Sequence, residues 1–152
     1  MVITRLQTVT DLKYIDKDWG QLSYDPPAVK YPCALVDFSA VSYEQLLLRN
    51  EMAELNLSIT VANLRLTPSS ALSKRKNDSF FTIELLDKIH NALHLFSSDV
   101  FTPLVRSSLD KIEADSGEEI YRLNYHTSYK VTPQNNTHPL AVKRFSVSAV
   151  LP

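Results

Sequence analysis

The chain has 152 residues, a hydrophobic fraction of 44%, a charged fraction of 22% and a formal net charge of −1. This length is enough to bury a core, and the composition is that of an ordinary globular domain. Because the net charge is close to zero, we expect no tight nucleic-acid binding. No apolar run approaches the roughly 20 residues of a membrane span, and no signal peptide is expected, so we expect a soluble cytoplasmic protein with no membrane partner.

The chain contains only two glycines, Gly20 and Gly117, and they are far apart. P-loops and dinucleotide-binding loops need clustered glycines so that backbone N–H groups can close on a phosphate. A nucleophile elbow needs glycines two residues to either side of a serine. These three enzyme classes are therefore excluded, and the sequence predicts no cofactor.

The first third of the chain predicts a helix and two strands. Residues 2–9 carry apolar side chains at helical spacing, which predicts a short N-terminal helix. Residues 12–19 alternate and predict a short strand beside a longer one. Residues 20–31 are predicted to form a loop stiffened by Pro26 and Pro27. Pro32 then opens an apolar run, Cys33–Phe38, which predicts a strand that is covered on both faces or at least central in the sheet.

Residues 51–66 carry the clearest strand pattern in the chain. Apolar residues alternate with polar ones over this span, so we expect one buried face and one solvated face. The apolar positions are Ala53, Leu55, Leu57, Ile59 and Val61. Residues 67–78 form a long polar loop of the kind that is usually functional or mobile.

The second half of the chain predicts the main helix and a hairpin. Residues 80–96 carry a helical apolar stripe, with Asp78 or Ser79 as the N-cap. Residues 104–112 and 120–131 predict two antiparallel strands joined at a turn around Gly117. The predicted fold is therefore α+β: a mainly antiparallel sheet against one main helix, in the order α-β-β-β-α-β-β. Residues 1–131 form the domain, and residues 132–152 form a strand-like tail.

Asp87, His90 and His94 are the candidates for a metal site. They lie on one flank of the predicted helix, where two ring nitrogens and a carboxylate can face one ion, and His126 is a possible further ligand. The sequence lacks the glutamate that follows the first histidine in zinc proteases. A polar shoulder beside the apolar stripe is therefore the favoured interpretation, and a small metal-dependent enzyme is the alternative.

The remaining chemical groups favour structural roles. Asp16 and Asp18 resemble a two-acid metal motif, but they lack a phosphate-binding companion. Cys33 lies in an apolar run, which predicts a buried thiol and no nucleophile. Two charged loops of opposite sign are best explained as solvated surface, although they also fit head-to-tail contact between copies. The basic loop is Lys74, Arg75 and Lys76, and the acidic tip is Glu113, Asp115, Glu118 and Glu119.

Residues 12–131 resemble the tail-completion, or tail-terminator-like neck, proteins of tailed phages and prophages. The resemblance begins with an acidic segment, a Gly-Gln-Leu turn, a proline-bearing loop and an apolar strand that opens at a proline. It continues through the long alternating strand, the main helix and the strand after it. The matching residues are Asp16–Asp18, Gly20–Leu22, Pro26–Pro27, Pro32–Asp37, residues 51–66, Leu86–His90 and Leu104–Arg106.

This resemblance implies a non-catalytic assembly protein. Such proteins close into a homo-oligomeric ring, often of six copies, that caps the tail tube and meets the head-connector proteins. The implied location is the host bacterial cytoplasm during assembly and the neck of the virion afterwards. A protein-binding module that offers a sheet edge is a further alternative. The residues expected at subunit contacts are Trp19, Gln21, Lys74, Arg75, Lys76, Glu118, Glu119 and Phe145.

Overall fold

A computed structural model describes residues 1–45, 51–64, 80–114 and 117–131 of the chain. These residues form two α-helices, five strands and a short 3₁₀ turn at Gln21–Ser23. The helices are α1 (Val2–Leu6) and α2 (Phe81–Leu93), and the strands are β1 (Tyr14–Lys17), β2 (Cys33–Gln45), β3 (Glu51–Leu64), β4 (Val105–Ile112) and β5 (Glu118–Val131). The α+β class and the order of elements agree with the sequence prediction. The strand-like tail of residues 132–152 and the polar loop of residues 67–78 lie outside the described residues.

The described strands form one sheet in the order β1-β2-β3-β5-β4. The short strand β1 runs parallel to the beginning of β2, and the other pairs are antiparallel. β2, β3 and β5 are the long strands, and β4 pairs with β5 in the predicted hairpin. The tip residues Asp115 and Ser116 of that hairpin are outside the described residues.

Helix α2 packs its predicted apolar stripe on one face of the sheet. Leu85, Leu86, Ile89 and Leu93 are buried in a cluster with the inward side chains of β2, β3 and β5. The helix ends at Leu93, three residues before the predicted end, because His94 is extended and Leu95 has a φ of 59°. Its N-cap is Phe80, which makes no side-chain capping bond, and the predicted caps Asp78 and Ser79 are outside the described residues. Neither described helix has the length and apolar character that crossing a membrane requires.

Strand β3 corrects one sequence prediction. Its far half is buried on both faces, since Ser58, Thr60 and Ala62 are as inaccessible as Ile59 and Val61. β3 is the central strand, and the loop between β1 and β2 covers part of the face that α2 does not. There a second apolar cluster joins Cys33, Ala62 and Ile120 to side chains of that loop, including Leu22, Val29 and Tyr31. The alternation of residues 51–61 therefore predicted correctly which face of β3 packs against α2. The prediction that the other face is solvated was wrong for the far half of the strand.

Strand β5 follows its predicted alternation. Leu123, Tyr125 and Thr127 are buried on the side of α2, while Arg122 and His126 are exposed on the other side. The apolar run of β2 is also confirmed as covered on both faces, but only from Cys33 to Val36. Beyond Val36 the strand continues to Gln45, well past the predicted end at Phe38, and the side chains of Asp37, Phe38 and residues 41–45 are exposed.

Candidate interaction surfaces

The turn after β1 is built around Gln21, which is fully buried. The Gln21 Oε1 atom accepts a hydrogen bond from the backbone N–H of Trp19 at 2.8 Å, and the Gln21 Nε2 atom donates to the carbonyl of Lys17 at 2.6 Å. Gly20 has a φ of 91°, a left-handed conformation that glycine adopts without steric cost. The amide of one side chain thus closes the turn from inside.

The same turn presents an indole to solvent. The Trp19 side chain is 54% exposed and packs edge-on against the ring of Tyr24, with centroids 5.7 Å apart. The Trp19 Nε1 atom is 3.4 Å from the Asp16 carboxylate, which also accepts a 2.9 Å hydrogen bond from the Tyr14 hydroxyl. The Tyr14 hydrogen bond is the main cause that lowers the pKa of Asp16. The indole is therefore held in place while remaining accessible.

Gln21 was predicted as a subunit-contact residue together with Trp19, and the structure separates the two. A fully buried side chain has no surface to offer to another subunit. Its two hydrogen bonds within the turn explain why it is internal: a buried amide needs partners, and the backbone around it supplies them. Of these two residues, only Trp19 has the exposed surface that a subunit contact requires.

The carboxylates of Asp16 and Asp18 accept hydrogen bonds in and beside this turn. Asp16 accepts from Tyr14 and Trp19, and Asp18 Oδ1 accepts from the backbone N–H of Gly20 at 3.0 Å. Among the described residues, no group of three or more histidine, cysteine, aspartate or glutamate side chains is placed to hold a metal ion. The two-acid pattern is therefore accounted for by local hydrogen bonding.

A second surface is an apolar groove of about 510 Å³ on the face of the sheet that carries α2. Its walls come from α1, the outer parts of β2, β3 and β5, and the segment between α2 and β4. On β2 the side chains of Phe38, Val41 and Tyr43 are largely exposed, and the Tyr43 hydroxyl lies 3.5 Å from that of Tyr129. Sequence reasoning missed this groove because it ended the strand at Phe38. The alternation of Val41 and Tyr43 was the available signal.

His90 and His94 are neighbours on α2, with ring centroids 4.7 Å apart. The His90 Nδ1 atom lies 3.4 Å from the Tyr125 hydroxyl. Burial, followed by the charges of Arg106 and His94, lowers the pKa of His90 and so favours its neutral imidazole. Asp87 is exposed on the same helix and joins no described three-ligand cluster.

His126, the predicted further ligand, lies on the opposite face of the sheet. Its Nδ1 atom is 3.2 Å from the Asn56 side chain, whereas its neighbour Tyr125 faces α2. Alternation along β5 explains this separation, because adjacent residues of a strand point to opposite faces. The structure therefore does not bring His126 to the pair formed by His90 and His94.

Two glutamates of the acidic hairpin tip accept hydrogen bonds from tyrosine hydroxyls. Glu118 accepts a hydrogen bond from the Tyr31 hydroxyl of the covering loop, and burial together with this bond raises the pKa of Tyr31. Glu119 accepts from Tyr121 at 3.2 Å. Glu113 is exposed. Lys74, Arg75, Lys76, Asp115 and Phe145 are outside the described residues, so the predicted head-to-tail pairing of opposite charges stays a prediction.

Cys33 lies in the core, as predicted. It is fully buried in the second apolar cluster, and burial is the main cause that raises the pKa of its thiol to about 11. A reactive cysteine needs an accessible site that stabilises the thiolate. Cys33 has neither the access nor the acidity for nucleophilic chemistry.

Comparison with solved structures finds a similar fold. A chain from the virion of a native gene transfer agent particle matches with a TM-score of 0.50 and 10% sequence identity, covering 86% of this chain and 92% of the other. No protein-family model matches the sequence, and no curated protein matches it. At this identity the likeness shows a shared fold.

Proposed function

We propose that the protein is a non-catalytic structural subunit of a phage-like virion, which assembles with copies of itself into a ring. In this proposal the ring completes the tail and joins the tail-tube proteins to the head connector, with six copies as the size that the family resemblance implies. The subunit is made in the host bacterial cytoplasm and ends in the neck of the particle. The observation that carries the proposal is the fold shared over most of both chains with a chain of a virion particle.

The turn that carries Trp19 supports self-association on physical grounds. A closed ring needs two different patches on each subunit that complement each other. Tryptophan is one of the residue types enriched among the few that dominate binding energy at protein interfaces, and a side chain already held in one orientation loses less entropy on binding. Trp19 meets this description because the buried amide of Gln21 and the carboxylate of Asp16 fix the turn beneath it.

Self-association is tested by measuring mass over a range of concentrations. Light scattering coupled to size exclusion and negative-stain microscopy should reveal a ring-sized species of the purified chain. Trp19→Ala should move the midpoint of assembly to a concentration at least about 30-fold higher, since truncation of a hot-spot residue costs about 2 kcal/mol or more. The melting temperature should change little, because the indole is more than half exposed.

Ile83→Ala is the matched control, because Ile83 is also a half-exposed apolar residue but lies on helix α2 and not on a strand edge. It should leave assembly unchanged. Equal loss of assembly and of thermal stability in Trp19→Ala would instead assign Trp19 to the folding core. A strict monomer at every concentration would count against the ring, and absence of the chain from purified particles would remove the virion assignment.

The metal-enzyme alternative predicts bound metal in protein purified without chelator. Elemental analysis of the wild-type chain and of His90→Ala decides between the two hypotheses. Stoichiometric metal that is lost in the variant would favour the enzyme. Our proposal expects no stoichiometric metal in either protein.

A further inference from the structure

The outer edge of β2 is open over its far half. β1 pairs only with the segment from Cys33 to Val36, and the backbone N–H of Asp18 makes the last contact, to the Val36 carbonyl at 2.9 Å. From Asp37 to Gln45 no other strand of the described part of the chain pairs with this edge. An exposed strand edge of this length is a template for another strand.

The open edge borders the apolar groove. In the pairing with β3, Phe38 lies opposite Leu57, Val41 opposite Leu55, and Tyr43 opposite Ala53. A bulge between Phe38 and Ala40 interrupts the alternation along β2, so Phe38, Val41 and Tyr43 all share the groove-facing side. The Tyr43 side chain is 61% exposed. A strand added beside them would have to alternate apolar and polar residues to match this face.

The last described strand ends at the same end of the sheet as the open edge. β5 stops at Val131, which pairs with Glu51, and Glu51 in turn pairs with Gln45, the last residue of β2. Val131 is thus about 10 Å, or two strand spacings, from the end of the open edge. Residues 132–142 can span roughly 35 Å when extended, which is ample for the crossing. The segment that follows alternates: Phe145, Val147, Ala149 and Leu151 are apolar, and Ser146 and Ser148 are polar.

We propose that residues 143–151 of the same chain add to the outer edge of β2 as an antiparallel strand and cover the groove. The direction follows from the crossing, because the segment enters beside Gln45. The register follows from faces and charges. Placing Phe145 opposite Tyr43 puts Val147 opposite Val41 on the groove side. It also puts Arg144 opposite the exposed Glu44 on the other side, a favourable cross-strand pair.

The occupant is the chain's own segment and not that of a second copy. A short tether holds its end at an effective concentration on the order of millimolar, so at micromolar protein the attached segment outcompetes a neighbour's. The inference concerns the isolated chain and does not rest on the proposed virion role. A failure of ring assembly would leave it standing, and its own failure would leave the virion role standing.

Disulfide trapping in the full chain tests the register. Directly opposed residues of antiparallel strands come close enough for a disulfide, whereas residues on opposite faces do not. Val41→Cys with Val147→Cys should oxidise to a disulfide within one chain in most molecules. Ser42→Cys with Val147→Cys is the matched control on the wrong face and should give less than about a tenth of that yield. Cys33 is buried and does not compete.

Each outcome on non-reducing gels and in peptide mass spectrometry has one meaning. A link within one chain between the cysteines introduced at positions 41 and 147 supports the proposal. A link between two chains would assign the strand to a second copy and overturn it. Absence of a link in both pairs, or equal links in both, would overturn docking in this register.

A second measurement does not depend on the introduced cysteines. Deleting residues 143–152 should uncover the groove and raise the fluorescence of an added apolar dye several-fold. Phe38→Ser in the deleted chain should remove most of this gain, because Phe38 lines the groove. Unchanged dye binding after the deletion would refute coverage of the groove by this segment.

Discussion

Replacement of Gln21 by methionine removes the polar centre of the turn that carries Trp19 while keeping nearly the same side-chain length. The variant loses the 2.8 Å hydrogen bond from the Trp19 N–H and the 2.6 Å hydrogen bond to the Lys17 carbonyl. Because the site is fully buried, water does not replace these partners without opening the turn. The backbone of the turn is left with an unsatisfied donor and an unsatisfied acceptor.

The expected loss of stability follows from those two groups. Each buried polar group left without a partner costs about 1–3 kcal/mol, and methionine returns part of this by burying apolar surface. We expect Gln21→Met to lower the free energy of unfolding by about 2–4 kcal/mol. In a chain of this size the melting temperature falls by roughly 5–15 °C for such a loss.

Urea unfolding followed by Trp19 fluorescence measures this loss directly, since Trp19 is the only tryptophan and lies in the turn. Gln7→Met is the matched control, because the Gln7 side chain is exposed and should tolerate the change within about 0.5 kcal/mol. If the free energy of unfolding of Gln21→Met also differs from that of the wild type by no more than about 0.5 kcal/mol, the two hydrogen bonds do not stabilise the turn. The assignment of Gln21 to an internal role would then be wrong.

Three further predictions concern the core and its titratable groups. With the pKa of Cys33 raised to about 11 from an ordinary 9.0, the native thiol should react with a disulfide reagent at pH 8 at least about 100-fold more slowly than the unfolded thiol; comparable rates would contradict its burial. Because the folded pKa of His90 is lowered, the stability linked to its neutral form is present above about pH 6.5 and is lost as pH falls. The melting temperature of His90→Gln should therefore drop less between pH 7 and pH 5 than that of the wild type, and an equal drop would argue against this linkage. Ile89→Ala should cost about 2–5 kcal/mol in urea unfolding, whereas Ile83→Ala on the exposed side of α2 should cost less than about 1 kcal/mol; similar losses would mean that the burial of Ile89 is misassigned.

The sequence predicted the elements whose patterns are local. The period of two in β5 and the helical stripe of α2 each reflect one element against one core, so the buried residues Leu123 and Ile89 follow from spacing alone. The order of elements and the α+β class followed from these patterns. Predicted ends were less accurate: α2 stops at Leu93 because a left-handed residue follows soon after, and no composition signal marked it.

Features that depend on distant parts of the chain were not predictable. Ser58, Thr60 and Ala62 are buried at the back of β3, and Ala62 packs with side chains of the loop before β2. The local spacing of residues along β3 does not predict this burial. Gln21 looked like a surface residue because glutamine usually is one. Its burial depends on two backbone groups of its own turn, which sequence spacing does not orient.

The Trp19 turn and the open edge of β2 have a common cause. β1 ends at Lys17, and the turn closed by Gly20 and Gln21 leads the chain away from the sheet, so pairing with β2 stops at Val36. The turn that exposes the indole therefore also leaves the outer edge of the next β2 residues without a partner among the described strands, and Lys17 itself lines the groove beside them. A longer β1 would close the edge and move the indole at the same time. Conversely, a weakened turn, as in Gln21→Met, should disturb both surfaces, because rigid presentation of an anchor depends on the hydrogen bonds beneath it.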